Sequence, residues 1–448
     1  MLESLREMDR RQWSATLAAF AGWALDAFDF FLMVFMFEAI ARDFHASVPA
    51  VTAASAVTLA ARPFGAFFFG QLADRYGRRP VLMAVILLYS GFELASAFAP
   101  SLAVLLVMRA LFGFSMGGEW GVGASLAMET IPAKARGLVS GFLQEGYAVG
   151  YLLAALVYYL LFAKIGWRGM FIVGLAPALV SALIFLGVKE SPSFEAARHA
   201  SGPARHPHVW TVGLIALAVA LAPSVLSVFT GIGVTTLIYG ICVPVALAGL
   251  WFFRSHWRVA LYLAVMMMGF NLLSHGTQDL YPTFLRARHF SIGQVGLATA
   301  IGNAGAIFGG VIMGAWSERL GRRRTIVLAA LASIVMVPLW AFSHTLVLLA
   351  GGAFLMQAAV QGAWGVVPAH LNELSPSDAR GAFPGYVYQM GNLLASGLIV
   401  GQATLAKARG GDYGFALAVT AGVVAVLIIL IVWFGPERRG ADLTVEQA

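Results

Sequence analysis

The chain has 448 residues, 60% of them hydrophobic and only 11% charged. Soluble domains carry about a quarter of their residues as Asp, Glu, Lys or Arg, so this balance and a mean hydropathy of +0.80 exclude an ordinary soluble protein. The formal net charge of +7 follows from where the cations sit relative to a membrane and is not a nucleic-acid signal.

A run of about 20 apolar residues crosses a hydrocarbon core as a helix. The sequence predicts fourteen: near 15–40, 50–72, 80–99, 102–126, 138–163, 168–188, 209–228, 232–253, 259–285, 292–315, 325–343, 346–368, 382–406 and 413–434. Residues 1–13 are polar and the first run carries Asp26, Asp29 and Glu38, unlike the apolar core of an export signal. The lone Cys242 lies in the eighth run and reads as a small packing residue. An all-α polytopic membrane protein is expected, because irregular backbone facing lipid leaves peptide groups unpaired.

Two loops repeat at an offset of 244 residues. Gly70-Gln71-Leu72-Ala73-Asp74-Arg75-Tyr76-Gly77-Arg78-Arg79 returns as Gly314-Ala315-Trp316-Ser317-Glu318-Arg319-Leu320-Gly321-Arg322-Arg323, and Glu129-x-x-Pro132-x-x-x-Arg136-Gly137 as Glu373-x-x-Pro376-x-x-x-Arg380-Gly381. The chain is therefore read as a duplicated unit. The runs at 209–228 and 232–253 fall outside the repeat, which gives a first six-helix bundle (1–188), a linker with an inserted helix pair (189–258) and a second bundle (259–448). The stretch from Lys189 to His208, with Pro192, Gly202, Pro203 and Pro207, reads as a hinge. With the amino terminus inside, 20 of the 29 Lys and Arg residues are cytoplasmic and seven external, while Arg62 and Arg109 lie within apolar runs. Both termini are expected in the cytoplasm, with the chain in the plasma (inner) membrane.

An ionised group at mid-membrane costs roughly 2.5–3.5 kcal/mol on insertion scales, so each needs a partner or a task. Asp26 and Asp29, three apart, share a helical face. As neighbouring carboxylates they raise each other's proton affinity, as proton coupling needs; equally, they neutralise Arg62 or Arg109. Arg62 lies eight residues before Gly70, about two turns deep. Its guanidinium fork suits a substrate carboxylate, and a structural pair with Asp26 or Asp29 is the alternative. Arg109 opens Arg109-x-x-x-Gly113-x-x-x-Gly117-Gly118-Glu119, where the glycines admit a neighbouring helix and Arg109 with Glu119 forms an ion pair that resets during transport or is purely structural. Glu145, beside Gln144, is a lone acid at depth that must titrate.

Asn271, His275 and Asp279 stand at i, i+4 and i+8 on one face, bordered by Ser274 and Gln278. A neutral His275 accepts a proton and a charged one holds a carboxylate; the bland reading is an interhelical hydrogen-bond cluster. Asn303, Gln357, Gln361, Tyr386, Tyr388, Gln389 and Asn392 offer uncharged hydrogen bonds to a short hydroxy- or keto-acid, or hold helices together. Asp74, Arg75, Arg78, Glu318 and Arg322 read as a charge latch that biases a two-state equilibrium, with Arg109 as a partner-exchanging member.

The repeated loops resemble the signature of the major facilitator superfamily, and Lys189-Glu190-Ser191-Pro192 is similar to the acidic-Ser-Pro element that often closes the first half of its members. Gly22-Trp23-Ala24-Leu25-Asp26-Ala27-Phe28-Asp29-Phe30 looks like the Asp-bearing first helix of proton-coupled organic-acid carriers, including the sialate:proton symporter family and the aromatic-acid symporters. Asn271-Leu-Leu-Ser274-His275-Gly-Thr277-Gln278-Asp279-Leu-Tyr-Pro-Thr283 resembles the pattern of the lactate/pyruvate:proton permeases within the sialate family. The resemblance implies substrate contact at Arg62, where the family places an arginine implicated in binding. An inserted helix pair is known in sialate carriers.

The expected function is proton-coupled symport of a short monocarboxylate, lactate or pyruvate, by alternating access. A sialic-acid or aromatic-acid carrier is the alternative. The substrate-binding candidates are Arg62, Asn271, His275, Gln278, Asp279 and Gln389. The proton-coupling candidates are Asp26, Asp29, Glu119, Glu145, His275 and Asp279. With no metal-ligand cluster, phosphate loop or nucleophile triad, neither an enzyme nor a bound cofactor is expected. The short tail after the last run disfavours a receptor. The expected partners are an organic-acid anion, protons and the bilayer, and the expected state is a monomer.

Overall fold

The computed structural model describes residues 8–46, 48–175, 190, 194–195, 208–376, 379, 382–396 and 398–441, and every regular element among them is helical. The first half comprises α1 (Arg10–Asp43), α2 (Val48–Tyr76), α3 (Arg78–Ala97), α4 (Leu102–Thr130), α5 (Arg136–Gln144) and α6 (Gly146–Val173). Then come α7 (Val209–Thr230) and a broken stretch: α8 (Val234–Leu237), a π turn (Ile238–Cys242), α9 (Val243–Gly249) and a 3-10 segment (Leu250–His256). The second half holds α10 (Trp257–Gln278), α11 (Tyr281–Ala287), α12 (Ile292–Leu320), α13 (Arg322–Phe342), α14 (Leu346–Trp364), α15 (Val367–Leu374), α16 (Phe383–Ala395), α17 (Leu398–Ala408) and α18 (Tyr413–Trp433). Polar residues at loop ends start several helices. Asp9 with Gln12, and Ser291 with Gln294, form reciprocal capping boxes. Ser101, Thr345 and Asp412 cap α4, α14 and α18 with their side-chain oxygens.

Among the described residues, 11 segments are long and apolar enough to cross a membrane. Two expected boundaries fall at kinks where the backbone leaves helical geometry, at Phe253 (φ −96°, ψ 27°) and at Gly166 (φ +63°, ψ −177°). The runs at 232–253 and 259–285 join in one helical stretch, Val234–Ala287. Helix α6 continues beyond 163 to Val173, with the chain bending at Gly166 (φ +63°). Lys164 and Arg168, which the sequence placed in a loop, flank this kink, where a glycine takes the positive φ that other residues rarely adopt. Residues 176–189, most of the linker that follows and residue 397 within the run 382–406 lie outside the described residues.

The 244-residue repeat is physical. Gly65 of α2 packs against the backbone of Phe114 on α4, and Gly309 of α12 packs in the same way against Ala358 on α14. A side chain at either position would overlap the facing carbonyl, so close helix packing fixes a glycine in both copies.

The two halves are sealed against each other at one end. Gly141 of α5 and Gly365 both lie against the Gly310 backbone of α12, and Gly137 lies against Gly314. Ser140 Oγ donates to the Gly365 carbonyl (2.7 Å) and accepts from Ala369 N–H (3.0 Å), and Ser125 Oγ donates to Asn372 Oδ1 (3.2 Å). Both ends of the described chain are here, since Gln12 donates to the Thr130 carbonyl (2.9 Å) and Arg439 to the Glu318 and Arg319 carbonyls (3.2 and 2.9 Å). Toward the far end of α10, the His275 and Asp279 side chains remain 27% and 33% exposed. Gly141→Val is expected to break the seal, because backbone faces the new side chain and cannot give way. In a Cys242→Ser background, a reporter cysteine at Ala369 should then label faster with a thiol reagent applied from the sealed side. Unchanged labelling would show that these glycines do not make the seal.

A candidate anion and proton site between the halves

Arg62 is 3% exposed. Its Nη2 donates to both carboxylate oxygens of Asp26 (3.3 and 3.5 Å) and contacts Met116 Sδ (2.6 Å), and its guanidinium lies 5.6 Å from the Phe30 ring. Its Nε is buried without a partner. The pair with Asp26 anticipated as an alternative is thus formed, but it occupies one nitrogen of the fork. Glu119 faces the same group: it interacts electrostatically with Asp26 and Arg62, its Oε2 has no partner, and it borders a small cavity of about 10 Å³, the space of about one water, with Trp23, Trp120, Leu143 and Pro368.

Arg109 does not pair with Glu119. It forms a fully buried ion pair with Glu93 of α3 and stacks over Phe112 (3.8 Å). Ten residues of helix separate Arg109 from Glu119, about 15 Å of rise, so the two sit at different depths. Twenty residues of the same helix, about 30 Å of rise, separate Arg109 from Glu129 at the loop latch with which the sequence grouped it. Glu93 was visible as an acid in the third apolar run but was not singled out. Asp29 lies between these groups: it interacts with Glu93, Arg109 and Asp26, and neither carboxyl oxygen has a hydrogen-bond partner.

The second half contributes His275, whose Nδ1 lies 3.3 and 3.2 Å from the two Asp279 oxygens, as the i, i+4 spacing implies. Asn271 is on the buried side of α10. It donates to the Met267 carbonyl (2.9 Å) and packs against Gly391, so it is not bonded to His275. Gln278 donates to Gln357 (2.7 Å), Gln357 to Thr277 (3.2 Å) and Gln361 to Ser274 (3.2 Å), an amide ladder tying α10 to α14. Gln389 accepts from Asn392 (2.8 Å), with its Nε2 buried and unpartnered. Asn303 bonds within its own helix, to Thr299. Tyr386 donates to the Ala246 carbonyl of the inserted segment.

Aromatic rings join the two clusters. Trp120 stacks on Tyr388 across the halves at 3.9 Å, Trp23 lies 5.6 Å from Tyr147, and Trp364 lies 5.4 Å from Tyr388. Tyr388 is hydrogen-bonded to Gln144. Arg62 acts electrostatically on Tyr147, Tyr388 and His275, so the candidate anion-binding groups of the two halves share one region. Glu145 stands apart at the α5–α6 junction. Its carboxyl packs directly on Gly310, and Oε1 has no partner. Among the described residues no group of three metal-type ligands occurs.

The loop residues form two parallel latches. Arg78 meets Asp74 (3.2 Å) and Glu129 (3.3 Å). Arg322 meets Glu318 (2.8 Å) and Glu373 (2.8 and 3.0 Å). Arg75 lies over the Tyr76 ring. Glu190 accepts from Arg78 and Arg79 N–H at the start of α3, and Glu437 does the same for Arg322 and Arg323 at the start of α13. A carboxylate there meets the positive end of the helix dipole. Glu318 also accepts from Gly137 N–H of the other half, which links the latch to the seal. At the opposite end Asp43 accepts from Arg168, and that hydrogen bond holds its carboxyl below the usual carboxylate range. Arg322→Ala would strand Glu373, which is 1% exposed. A loss of about 3–5 kcal/mol is expected for a broken buried pair, read as a lowered melting temperature in detergent. An unchanged melting point would mean the latch carries little stability.

The family described as "Sugar (and other) transporter" matches residues 14–206 and 230–438. The chain belongs to this family. The internal gap between the two matched stretches, 207–229, coincides with α7. A probable 4-methylmuconolactone transporter of Cupriavidus pinatubonensis is 29% identical over 94% of the chain and 90% of its own length. A carboxylic acid transporter protein homolog of Saccharomyces cerevisiae is 26% identical over 99% of the chain and 71% of its own length. Among solved structures, the major facilitator proton:xylose symporter XylE of E. coli superposes with a TM-score of 0.70 at 20% identity, covering 97% of this chain and 98% of that one. The sugar-transporter family member described here is therefore an all-helical integral membrane transporter of the major facilitator fold.

Proposed function

We propose that this transporter carries a short monocarboxylate of the lactate or pyruvate class together with protons, by alternating access. The observation that carries the proposal is the charge count in the first half. Among the described residues of that half, and apart from the loop charges Asp74, Arg78, Glu129 and Arg136, Asp26, Asp29, Glu93, Glu119 and Glu145 are each at most 3% exposed, against two equally buried arginines, Arg62 and Arg109. Burying unpaired anions costs several kcal/mol each, so protons neutralise the excess. A substrate carboxylate arriving at the free edge of the Arg62 fork competes with Asp26. As Asp26 is displaced it takes up a proton, so anion and proton load together. His275, held by Asp279, supplies a second cationic or hydrogen-bonding contact from the other half.

The Asn271–Thr283 resemblance points to a short acid. The second reading is an acid with a flat ring, favoured by Trp23, Trp120, Tyr147, Tyr388 and Trp364 around the site. The relatives named for a muconolactone and for carboxylic acids fit an organic-acid cargo in either reading. Fourteen crossings, with the inserted pair between bundles at 1–188 and 259–448, both termini in the cytoplasm and a monomer in the inner membrane complete the proposal. The test of cargo is competition in reconstituted vesicles. Unlabelled lactate and pyruvate should block labelled lactate uptake better than benzoate or sialic acid; preferential block by benzoate would move the assignment to the ring-bearing class, and no lactate uptake would end it.

Glu145 has its own place in the cycle. Packed on Gly310 inside the seal with no cation beside it among the described residues, its carboxyl holds a proton while that end is shut. Opening admits water, which favours ionisation and releases the proton to that side.

A further inference from the structure

We infer that the 3-10 segment Leu250–His256 and the first turn of α10 form a docking surface for the headgroups of anionic phospholipids. No Asp or Glu occurs from Ala196 to Gln278, while Arg254, His256 and Arg258 are all exposed. Trp251 and Trp257 are 68% and 55% exposed. The Arg254 guanidinium lies 4.3 Å from the Trp251 ring and that of Arg258 5.6 Å from the Trp257 ring. These two exposed tryptophan–arginine contacts form the outer edge of the segment.

The edge lies at the sealed end of the bundle. Tyr262, one turn beyond Arg258, packs against Gly435 beside the Glu437 cap of α13, and Trp210 (58% exposed) packs on Phe68 near the first latch loop. Exposed tryptophans beside arginines at a bilayer boundary place ring bodies among the headgroups and cations at their phosphates. The acid-free surface leaves those cations without a competing protein anion on their own segment, which selects a negatively charged lipid over a zwitterionic one.

The opposite edge of the segment faces inward. Phe253, 3% exposed, lies 6.1 Å from Phe67 of α2, 5.1 Å from Phe383 and 5.8 Å from Tyr386 of α16. It is wedged between helices of the two halves. A headgroup gripped on the outer edge therefore steadies a wedge on the seam that must shift when the halves rock.

The test uses the full chain and phosphatidylglycerol as the probe. In native mass spectrometry the wild type should retain phosphatidylglycerol in preference to phosphatidylcholine, and Arg254→Gln and Arg258→Gln should each weaken retention about fivefold, the effect of one cation at an anionic surface. In vesicles, added phosphatidylglycerol should raise the wild-type uptake rate but not that of the double variant, whose rate in phosphatidylcholine alone should match wild type. Equal retention by wild type and double variant, at matched melting temperatures, would overturn the proposal. So would displacement by inorganic phosphate, which would mark a soluble-anion site, or wild-type dimers that the double variant lacks. Lipid retention needs no substrate, so its outcome is independent of the cargo and of proton coupling.

Discussion

Arg62→Lys should lower kcat/KM for uptake about 50-fold, the cost of about 2–3 kcal/mol expected when a buried hydrogen-bonded charge pair loses its fork geometry. Lysine keeps the charge beside Asp26 and therefore the fold. It lacks the second donor edge, represented here by the unpartnered Arg62 Nε, that a carboxylate would engage while Asp26 is displaced. Substrate kinetics in reconstituted vesicles, with melting temperature as a folding control, measure this. Near-wild-type kinetics would make Arg62 a structural partner of Asp26 and move anion recognition to His275.

Glu145→Gln should reduce proton-driven accumulation at least tenfold, equivalent to about 1.4 kcal/mol on the gating equilibrium, while exchange of labelled for unlabelled substrate at equal pH persists. Glutamine copies the protonated carboxyl against Gly310 and cannot release a proton when the seal opens. The sign follows from the geometry. In wild type, low pH on the sealed side favours the sealed state and high pH favours opening, and the variant should lose that dependence. Accumulation and exchange lost together would indicate damage to the seal, and both retained would exclude Glu145 from coupling.

Much of this was legible in the sequence because the membrane imposes few solutions. Apolar length located the helices, and the exact 244-residue register of Gly70 with Gly314, and of Arg78 with Arg322, marked a duplicated unit whose packing contacts repeat at Gly65 and Gly309. Local spacing also gave the His275–Asp279 pair, because i, i+4 contacts need no tertiary knowledge. Partners from other helices were harder. Arg109 had several buried acids in range of the argument, and only helix packing selects Glu93 over Glu119. Glu190 and Glu437 were equally opaque, since a carboxylate capping a helix more than 110 residues away leaves no local pattern. The aromatic bridge of Trp120 and Tyr388 exists only where the halves meet. Charge also marked a helix end at Lys164 and Arg168, where the backbone leaves helical geometry at Gly166.

The most direct test of the central idea, that buried excess carboxyls make anion entry depend on protons, records internal pH and labelled lactate together in vesicles holding the purified protein. An inward proton gradient should speed lactate entry, and lactate added without a gradient should itself carry protons inward and acidify the lumen. Lactate entry indifferent to the gradient, with no change in internal pH, would contradict the account.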